Sequence, residues 1–169
     1  MKFKFKSKIF EIKPLAISRI NSEYVKKTSN SYIEYGKKTV KDQIKYVKEI
    51  RKKGDEIYQI KYKNKLIATS GFQFDRFKTY QGLLIIDSEF LGKSLAKYFI
   101  FSSILFVNIT LDKYFFYANI DKKNILSIKS FMNAGYKIVK KNKNVLNLKL
   151  TLNNKKNNIL IKNKIKILR

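Results

Sequence analysis

The feature that most constrains this chain is an abrupt change of pattern across residues 83–107. Four apolar residues, Leu83-Leu84-Ile85-Ile86, read as a buried strand. A corner follows, Asp87-Ser88-Glu89-Phe90-Leu91-Gly92-Lys93-Ser94, and then Leu95-Ala96 opens a long apolar run to residue 107 that reads as a buried helix. A strand that passes into a helix through a corner containing Gly, Ser and Ala leaves the first helical N–H groups without partners. Those groups lie at the positive end of the helix dipole, an arrangement that binds phosphate. A chain built round such a unit belongs to the α/β class, in its mixed α+β form.

The pattern on either side extends the unit. Residues 9–15 read as a strand stopped by Pro14, the single proline. A short helix is expected over 16–27 and a polar loop over 28–38. Thr39-Val40-Lys41-Asp42 has the form of a capping box. The helix it opens carries an apolar stripe at Ile44, Val47 and Ile50 and stops at Gly54. Strands are expected over 56–62, 66–74 and 80–87, the first two joined by Lys63-Asn64-Lys65. After the buried helix come a strand at 114–120, a helix over 124–133 closed by Gly135, and strands at 136–140 and 145–152. This order predicts a mixed central sheet flanked by helices on both faces, in one domain spanning residues 1–152. The remainder, 153–169, is rich in Lys and Asn, and its pattern leaves open an added edge strand or a mobile tail.

The 169 residues include no histidine and no cysteine. That removes disulfides, thiolate and imidazole metal sites, and every nucleophile pair that relies on histidine; no metal is expected. The opening Met1-Lys-Phe-Lys-Phe-Lys lacks the apolar core of a signal peptide. The longest apolar run, 98–107, is about ten residues, against the roughly 20 that a membrane helix needs. A cytoplasmic protein with no membrane span is expected. The net charge of +26 raises the question of nucleic acid. Nearly all the basic residues are lysine, with arginine only at Arg19, Arg51, Arg76 and Arg169. Arginine is the usual choice for bidentate phosphate and base contacts, and the abundance of Asn and Ile beside Lys matches the codon bias of an AT-rich genome. Nucleic acid is therefore discounted as the main partner in favour of a smaller polyanion.

A second cluster, Asn124-x-x-Ser127-x-x-x-Phe131-x-x-x-Gly135-Tyr136, follows the corner with one expected strand between them. Corner and cluster together resemble the acetyl-CoA-binding core of the GNAT family of N-acetyltransferases, and the element order resembles the GNAT fold from about residue 10 to residue 150. The resemblance implies that backbone amides of Leu91, Gly92, Lys93, Ser94, Leu95 and Ala96 hold the pyrophosphate of acetyl-CoA, with added charge from Lys93 or Lys97. It implies that main-chain groups of Leu84, Ile85 and Ile86 pair with the pantetheine arm like an added strand. Asn124 and Ser127 would line the same arm, Asn124 also capping its helix. A backbone bulge at Gly82 would aim an N–H at the thioester carbonyl. Acetyl then passes to a primary amine by direct attack in a ternary complex.

Two positions depart from the family pattern. Glu89 stands where a basic or amide residue is usual, and Phe131 stands where many members place a tyrosine that protonates the departing thiolate. Ser127, Tyr136 or a bound water are the alternatives for that proton. With histidine absent, the general base is sought among Glu34, Asp75 and Asp87 or in a water chain. Tyr32 and Tyr35 are candidates to pack on a sugar ring. Ile20-Asn21-Ser22-Glu23-Tyr24-Val25, with Thr39-x-x-Asp42, resembles a GNAT subgroup of surface-polysaccharide pathways whose members acetylate amino groups on nucleotide-linked sugars. The expected acceptor is thus a small-molecule amine, an amino sugar or a nucleotide-linked amino sugar. Two other readings stay open: an acetyltransferase directed at a protein, the ribosome or tRNA, and a degenerate GNAT domain that binds CoA or nucleic acid without chemistry. The oligomeric state is open as well.

Overall fold

Alternation of apolar and polar residues makes most of the strands, and the capping signals make the helices. The computed structural model describes residues 1–5, 7–29, 39–85, 87–152 and 165–168. In chain order these form β1 (Lys2–Phe5), β2 (Lys8–Pro14), α1 (Ser22–Ser29), α2 (Val40–Lys52), β3 (Glu56–Tyr62), β4 (Lys65–Phe74) and β5 (Thr79–Ile85). Then come α3 (Ala96–Leu111), β6 (Phe115–Asp121), α4 (Ile125–Asn133), β7 (Lys137–Lys141), β8 (Val145–Thr151) and β9 (Lys166–Leu168). The Thr39 side chain caps α2 by accepting from the Asp42 N–H, and Gly54, at φ +87°, takes the chain out of the helix. In β6 the alternation is complete, with Phe116, Ala118 and Ile120 buried between exposed or half-buried neighbours.

The strands form one nine-stranded sheet among the described residues, in the order β7-β8-β6-β5-β4-β3-β2-β1-β9. Every neighbouring pair is antiparallel except β5 and β6, which are parallel and joined through α3. A parallel pair needs a crossover connection of this kind, so the apolar helix is the link that permits the pair to exist. Helices cover both faces. On one face α3 and α4 pack into the main core, where Phe99, Ile100, Ile104 and Val107 meet Phe10, Ile60, Phe72 and Phe116. On the other, α1 and α2 bury Tyr24, Val25 and Val47 against Leu15, with Ile57 and Leu66 beneath.

Two outcomes differ from the sequence reading, and a third takes one of the two alternatives it left open. A strand, β1, precedes the first one expected: Phe3 and Phe5 are buried while Lys2 and Lys4 stay outside, and the strand pairs Phe3 with Phe10. Its alternation of lysine and phenylalanine is a strand pattern in its own right. The tail supplies β9, which pairs Leu168 with Lys2 at the sheet edge. Finally, the bulge expected at Gly82 is not there. The β4–β5 register runs without a break from Phe74↔Thr79 to Ala68↔Ile85, and the irregularities fall instead at Ile60/Lys61 and Ile138/Lys140.

Candidate functional site

The sheet divides in the middle. Parallel pairing of β5 with β6 is confined, among the described residues, to Thr79↔Phe116 and Tyr80↔Tyr117. Beyond these, β5 remains fully paired to β4 and β6 remains fully paired to β8. From Gln81 to Ile85, alternate residues of β5 therefore turn N–H and C=O groups toward a side with no ladder partner. The result is a V-shaped opening that starts at Tyr80 and Tyr117 and widens toward the corner.

The corner stands at the mouth of the opening. Asp87 caps a short 3₁₀ turn, Ser88–Phe90, by accepting from the Glu89 N–H at 3.1 Å. The chain then twists through Gly92 at φ +70° and Ser94 at φ +53° before α3 begins. Left-handed backbone at a serine costs about 1 kcal/mol. Tyr98 and Phe99 N–H groups donate to the Leu95 carbonyl, and the residues before them make no such bond. Among the described residues, none accepts from the backbone N–H of Gly92, Lys93, Ser94, Leu95, Ala96 or Lys97. Leu95 provides no side-chain cap, and the first turn of α3 holds no acid. Gly92, Lys93 and Ser94 are exposed, Leu95 is buried, and Ala96 and Lys97 are half-buried. Unpartnered N–H groups before a helix suit an anionic group.

The second cluster begins α4, which packs against α3 and β6. Asn124 caps α4, its Oδ1 accepting from the Ser127 N–H at 3.1 Å, which leaves its Nδ2 to donate elsewhere. Ser127 is half-buried on the first turn. Phe131 is buried and meets the Tyr136 ring edge-on at 5.1 Å. Gly135 has φ +104°, and a Cβ there would come within 2.9 Å of Leu150 Cδ1. Only glycine fits that exit.

Tyr136 was a candidate proton donor, and its surroundings give it other work. Its hydroxyl is buried and donates to Gln81 Oε1 at 2.8 Å. Gln81 Nε2 donates in turn to Ser70 Oγ at 3.1 Å and to the Ile100 carbonyl at 3.0 Å, while Ser70 Oγ donates to the Gly82 carbonyl at 3.2 Å. Loss of solvent drives the Tyr136 hydroxyl well above the usual tyrosine range. A hydroxyl that binds its proton so tightly donates it poorly. The network instead ties the α4–β7 turn, α3 and β4 to the first residue of β5 beyond the paired segment. Gln81 and Ser70 escaped the sequence reading because an isolated polar residue inside a strand carries no motif.

The candidate carboxylates are not brought together. Asp75 sits in the β4–β5 hairpin, exposed, accepting from the Arg76 N–H at 2.7 Å. Asp87 sits past the other end of β5, so the seven-residue strand holds the two about 20 Å apart. Asp87 is buried, and its Oδ2 lies 2.8 Å from the Lys65 ammonium. That contact raises the Lys65 pKa, chiefly through the hydrogen bond to Asp87. Glu34, Tyr32, Tyr35 and Ile86 lie outside the described residues. Among the described residues there is no cluster of three acids able to hold a metal, and no helix is long and apolar enough to cross a membrane.

No family model matches the sequence, and no curated protein matches it. Solved structures do match the fold. Aminoglycoside acetyltransferase AAC(6')-Ib in complex with coenzyme A superposes with a TM-score of 0.70 at 12% identity, over 84% of this chain and 94% of that one. The N-acetyltransferase PseH of Campylobacter jejuni gives 0.65 at 14% identity, over 85% and 99%. The acetyltransferase yncA of Salmonella typhimurium, described as putative and holding acetyl-CoA, gives 0.63 at 14%, over 86% and 95%. At these identities the likeness is one of fold: the chain has the mixed α/β fold of the GNAT acetyltransferases.

Proposed function

We propose that this protein is an acetyl-CoA-dependent N-acetyltransferase that acts on a primary amine of a small molecule, an amino sugar or a nucleotide-linked amino sugar. The observation that carries the reading is the run of six unpaired N–H groups, Gly92 to Lys97, at the mouth of the β5–β6 opening. A diphosphate supplies the acceptors those donors lack, and the unpaired edge of β5 suits an arm that hydrogen-bonds like a strand. Two of the fold neighbours hold coenzyme A or acetyl-CoA.

Acetyl-CoA supplies an activated thioester; the chain's own residues bind, orient and exclude. N–H groups of residues 92–97, with Lys93 and Lys97, hold the pyrophosphate, while the Leu91 N–H that the resemblance also offered is spent on the Ser88 carbonyl. Main-chain groups of Leu84, Ile85 and Ile86 align the pantetheine arm, and Asn124 Nδ2 donates to it from the opposite wall. N–H groups of β5 near Gly82 face the thioester carbonyl, where fixed donors stabilise developing negative charge without needing to reorganise. Continuous pairing at Gly82 means that the strand divergence, rather than a bulge, frees these donors. Phe131 is apolar and Tyr136 keeps its proton for Gln81, so we assign the leaving-group proton to Ser127. Asp87 is engaged by Lys65 and Asp75 lies at the far end of β5. We therefore assign deprotonation of the amine to water on the open face, with Glu34 the remaining carboxylate.

Calorimetry with acetyl-CoA and thiol release in the presence of a panel of amino sugars test this directly. Micromolar binding and amine-dependent thiol release are expected, and both should vanish in Gly92→Asp, which puts negative charge into the cradle. Absence of acetyl-CoA binding to the native protein would overturn the reading.

A further inference from the structure

Helices α1 and α2 rest on Ile57 of β3 and Leu66 of β4, and α3 and α4 pack on the other face of the sheet. The α1–α2 face of β6, β8 and β7 is open, and rings and cations dominate it. Side chains of register partners share a face, and the partners Tyr80↔Tyr117, Tyr117↔Lys149 and Lys149↔Lys137 run in one row across four strands. The Tyr80 and Tyr117 rings lie 5.7 Å apart. Lys149 Nζ stands 5.6 Å from the centre of the Tyr117 ring and 5.1 Å from that of Phe115, and Lys78 Nζ stands 5.8 Å from that of Tyr117. Phe115 is 47% exposed, Tyr80, Tyr117 and Lys149 are half-buried, and Lys78 and Lys137 are exposed. In the β4–β5 turn next to Lys78, Phe77 is 74% exposed, with the Arg76 guanidinium 5.1 Å from its ring. Two residues farther along β6, Asn119↔Asn147 and Asn147↔Lys140 make a second row. There Asn147 Nδ2 donates to Asn119 Oδ1 at 2.6 Å, and no described residue accepts from Nδ2 of the exposed Asn119.

The charge of this half is one-sided. Asp121 is the only acid from residue 113 to residue 169, a stretch with fifteen lysines and arginines. It stands four residues beyond Tyr117 on β6, about 13 Å away, and its Oδ1 already accepts from the Lys123 N–H at 2.7 Å. Exposed rings set among lysines fit few partners. An apolar surface would strip water from the ammonium groups at high cost, and an anion that is not flat would leave the rings uncovered. A chain that repeats phosphate and flat base satisfies both, its bases stacking on the rings and its phosphates meeting the lysines. In a duplex the bases are already stacked on one another, so the partner that fits is a single strand. Three strand spacings separate Tyr80 from Lys137, about 14 Å, which leaves room for a few nucleotides laid across the rings. Lysine in place of arginine is no obstacle here. Arginine's fork serves base reading, whereas a hold on phosphate that ignores sequence needs charge alone. Asn119 Nδ2, beside the row, offers a donor to a ribose 2′-hydroxyl, which favours RNA.

We propose that the open face of β5, β6, β8 and β7 binds single-stranded RNA without sequence preference, stacking bases on Tyr117 and Phe115 and holding phosphates on Lys78, Lys137, Lys140 and Lys149. This binding is separate from acetyl transfer and does not rest on it. The experiment is fluorescence anisotropy of a labelled oligouridylate of about ten nucleotides, titrated with the full chain with and without saturating CoA. Saturable micromolar binding is expected at low salt, with log K falling against log salt at a slope of about −3 for four phosphate contacts. Tyr117→Ala should weaken it about tenfold. Lys149→Glu should weaken it as much and flatten the slope by about 0.7 or more. Lys129→Glu makes the same change of charge at an exposed position of α4, on the other side of the sheet, and should leave binding near native. Thermal melting checks the fold of each variant, and Phe115→Ala replaces Tyr117→Ala if the latter does not fold. No saturable binding, equal weakening by Lys129→Glu and Lys149→Glu, or displacement of the oligomer by CoA would each overturn the proposal. Binding of a duplex as tightly as the single strand, or tighter binding of the deoxyribose oligomer, would overturn it as well.

Discussion

Replacing Tyr136 by phenylalanine separates a structural tyrosine from a catalytic one. The native hydroxyl donates 2.8 Å to Gln81 Oε1 in a site closed to water. Phenylalanine keeps the ring contact with Phe131 and removes only the oxygen, leaving Gln81 Oε1 buried with no donor. Such an orphan costs about 2 kcal/mol, which in a chain of this size lowers Tm by roughly 4–8 °C. Gln81 also holds the Ile100 carbonyl and Ser70, so the inner edge of the opening loosens slightly, and kcat for acetyl transfer, measured well below Tm, falls by less than about tenfold. A tyrosine that protonates the leaving group behaves differently. Its loss costs about 10²–10⁴ in rate and removes a limb of the pH profile. The assay is thermal melting of both proteins beside kcat across the pH range. A fall of a hundredfold or more in kcat with Tm unchanged would refute the structural assignment and restore Tyr136 as the acid.

Three further outcomes follow from the same geometry. Gly135→Ala forces a side chain into a φ of +104° and within 2.9 Å of Leu150 Cδ1, so a loss of about 2–3 kcal/mol is expected in denaturant unfolding; a neutral result would mean that the α4 exit relaxes freely. Asp87→Asn keeps the cap on the Glu89 N–H but breaks the pairing with Lys65. Stability should fall by about 1–2 kcal/mol with kcat near native, and a loss of rate alone would instead identify Asp87 as the base. Burial raises Tyr24 and Tyr58 to about 12 and holds Tyr136 well above the usual tyrosine range. Each is neutral when protonated and has a raised folded pKa, so its contribution is complete below pH 10 and is lost as pH climbs above that, through about 12 for Tyr24 and Tyr58. Absorbance titration should show these tyrosines ionising only with alkaline unfolding, and their free titration in a folded chain would contradict the burial.

Much of this architecture was legible because its signals are local. The 56–62 strand, the Thr39 cap, the Asn124 cap and the left-handed exit at Gly135 each depend on a few neighbouring residues, and all appear where the sequence put them. The corner was legible for the same reason, since a glycine between two apolar runs of different length marks a strand-to-helix turn. Its strained Ser94 was not, because serine rarely adopts positive φ and nothing in its neighbours demands it. What stayed hidden depends on contacts distant in sequence. Gln81 meets Tyr136 across 55 residues, and Tyr80 meets Tyr117 only because β5 and β6 run parallel for two residues before parting. The expected bulge at Gly82 was a local guess about a non-local event: the strands diverge without one. The candidate bases illustrate the same limit, since residue type identified Asp75 and Asp87 but only the fold set them at opposite ends of one strand.

The central claim is that the main-chain N–H groups of residues 92–97 grip a diphosphate. Backbone amide NMR of isotopically labelled protein during titration with CoA, repeated with inorganic pyrophosphate, reports on those groups one by one. The account predicts that the amide signals of Gly92 to Lys97 move most with both ligands, and that pyrophosphate leaves those of Asn124 and Ser127 nearly still while CoA shifts them. CoA that binds while the 92–97 amides stay where they were would contradict the account.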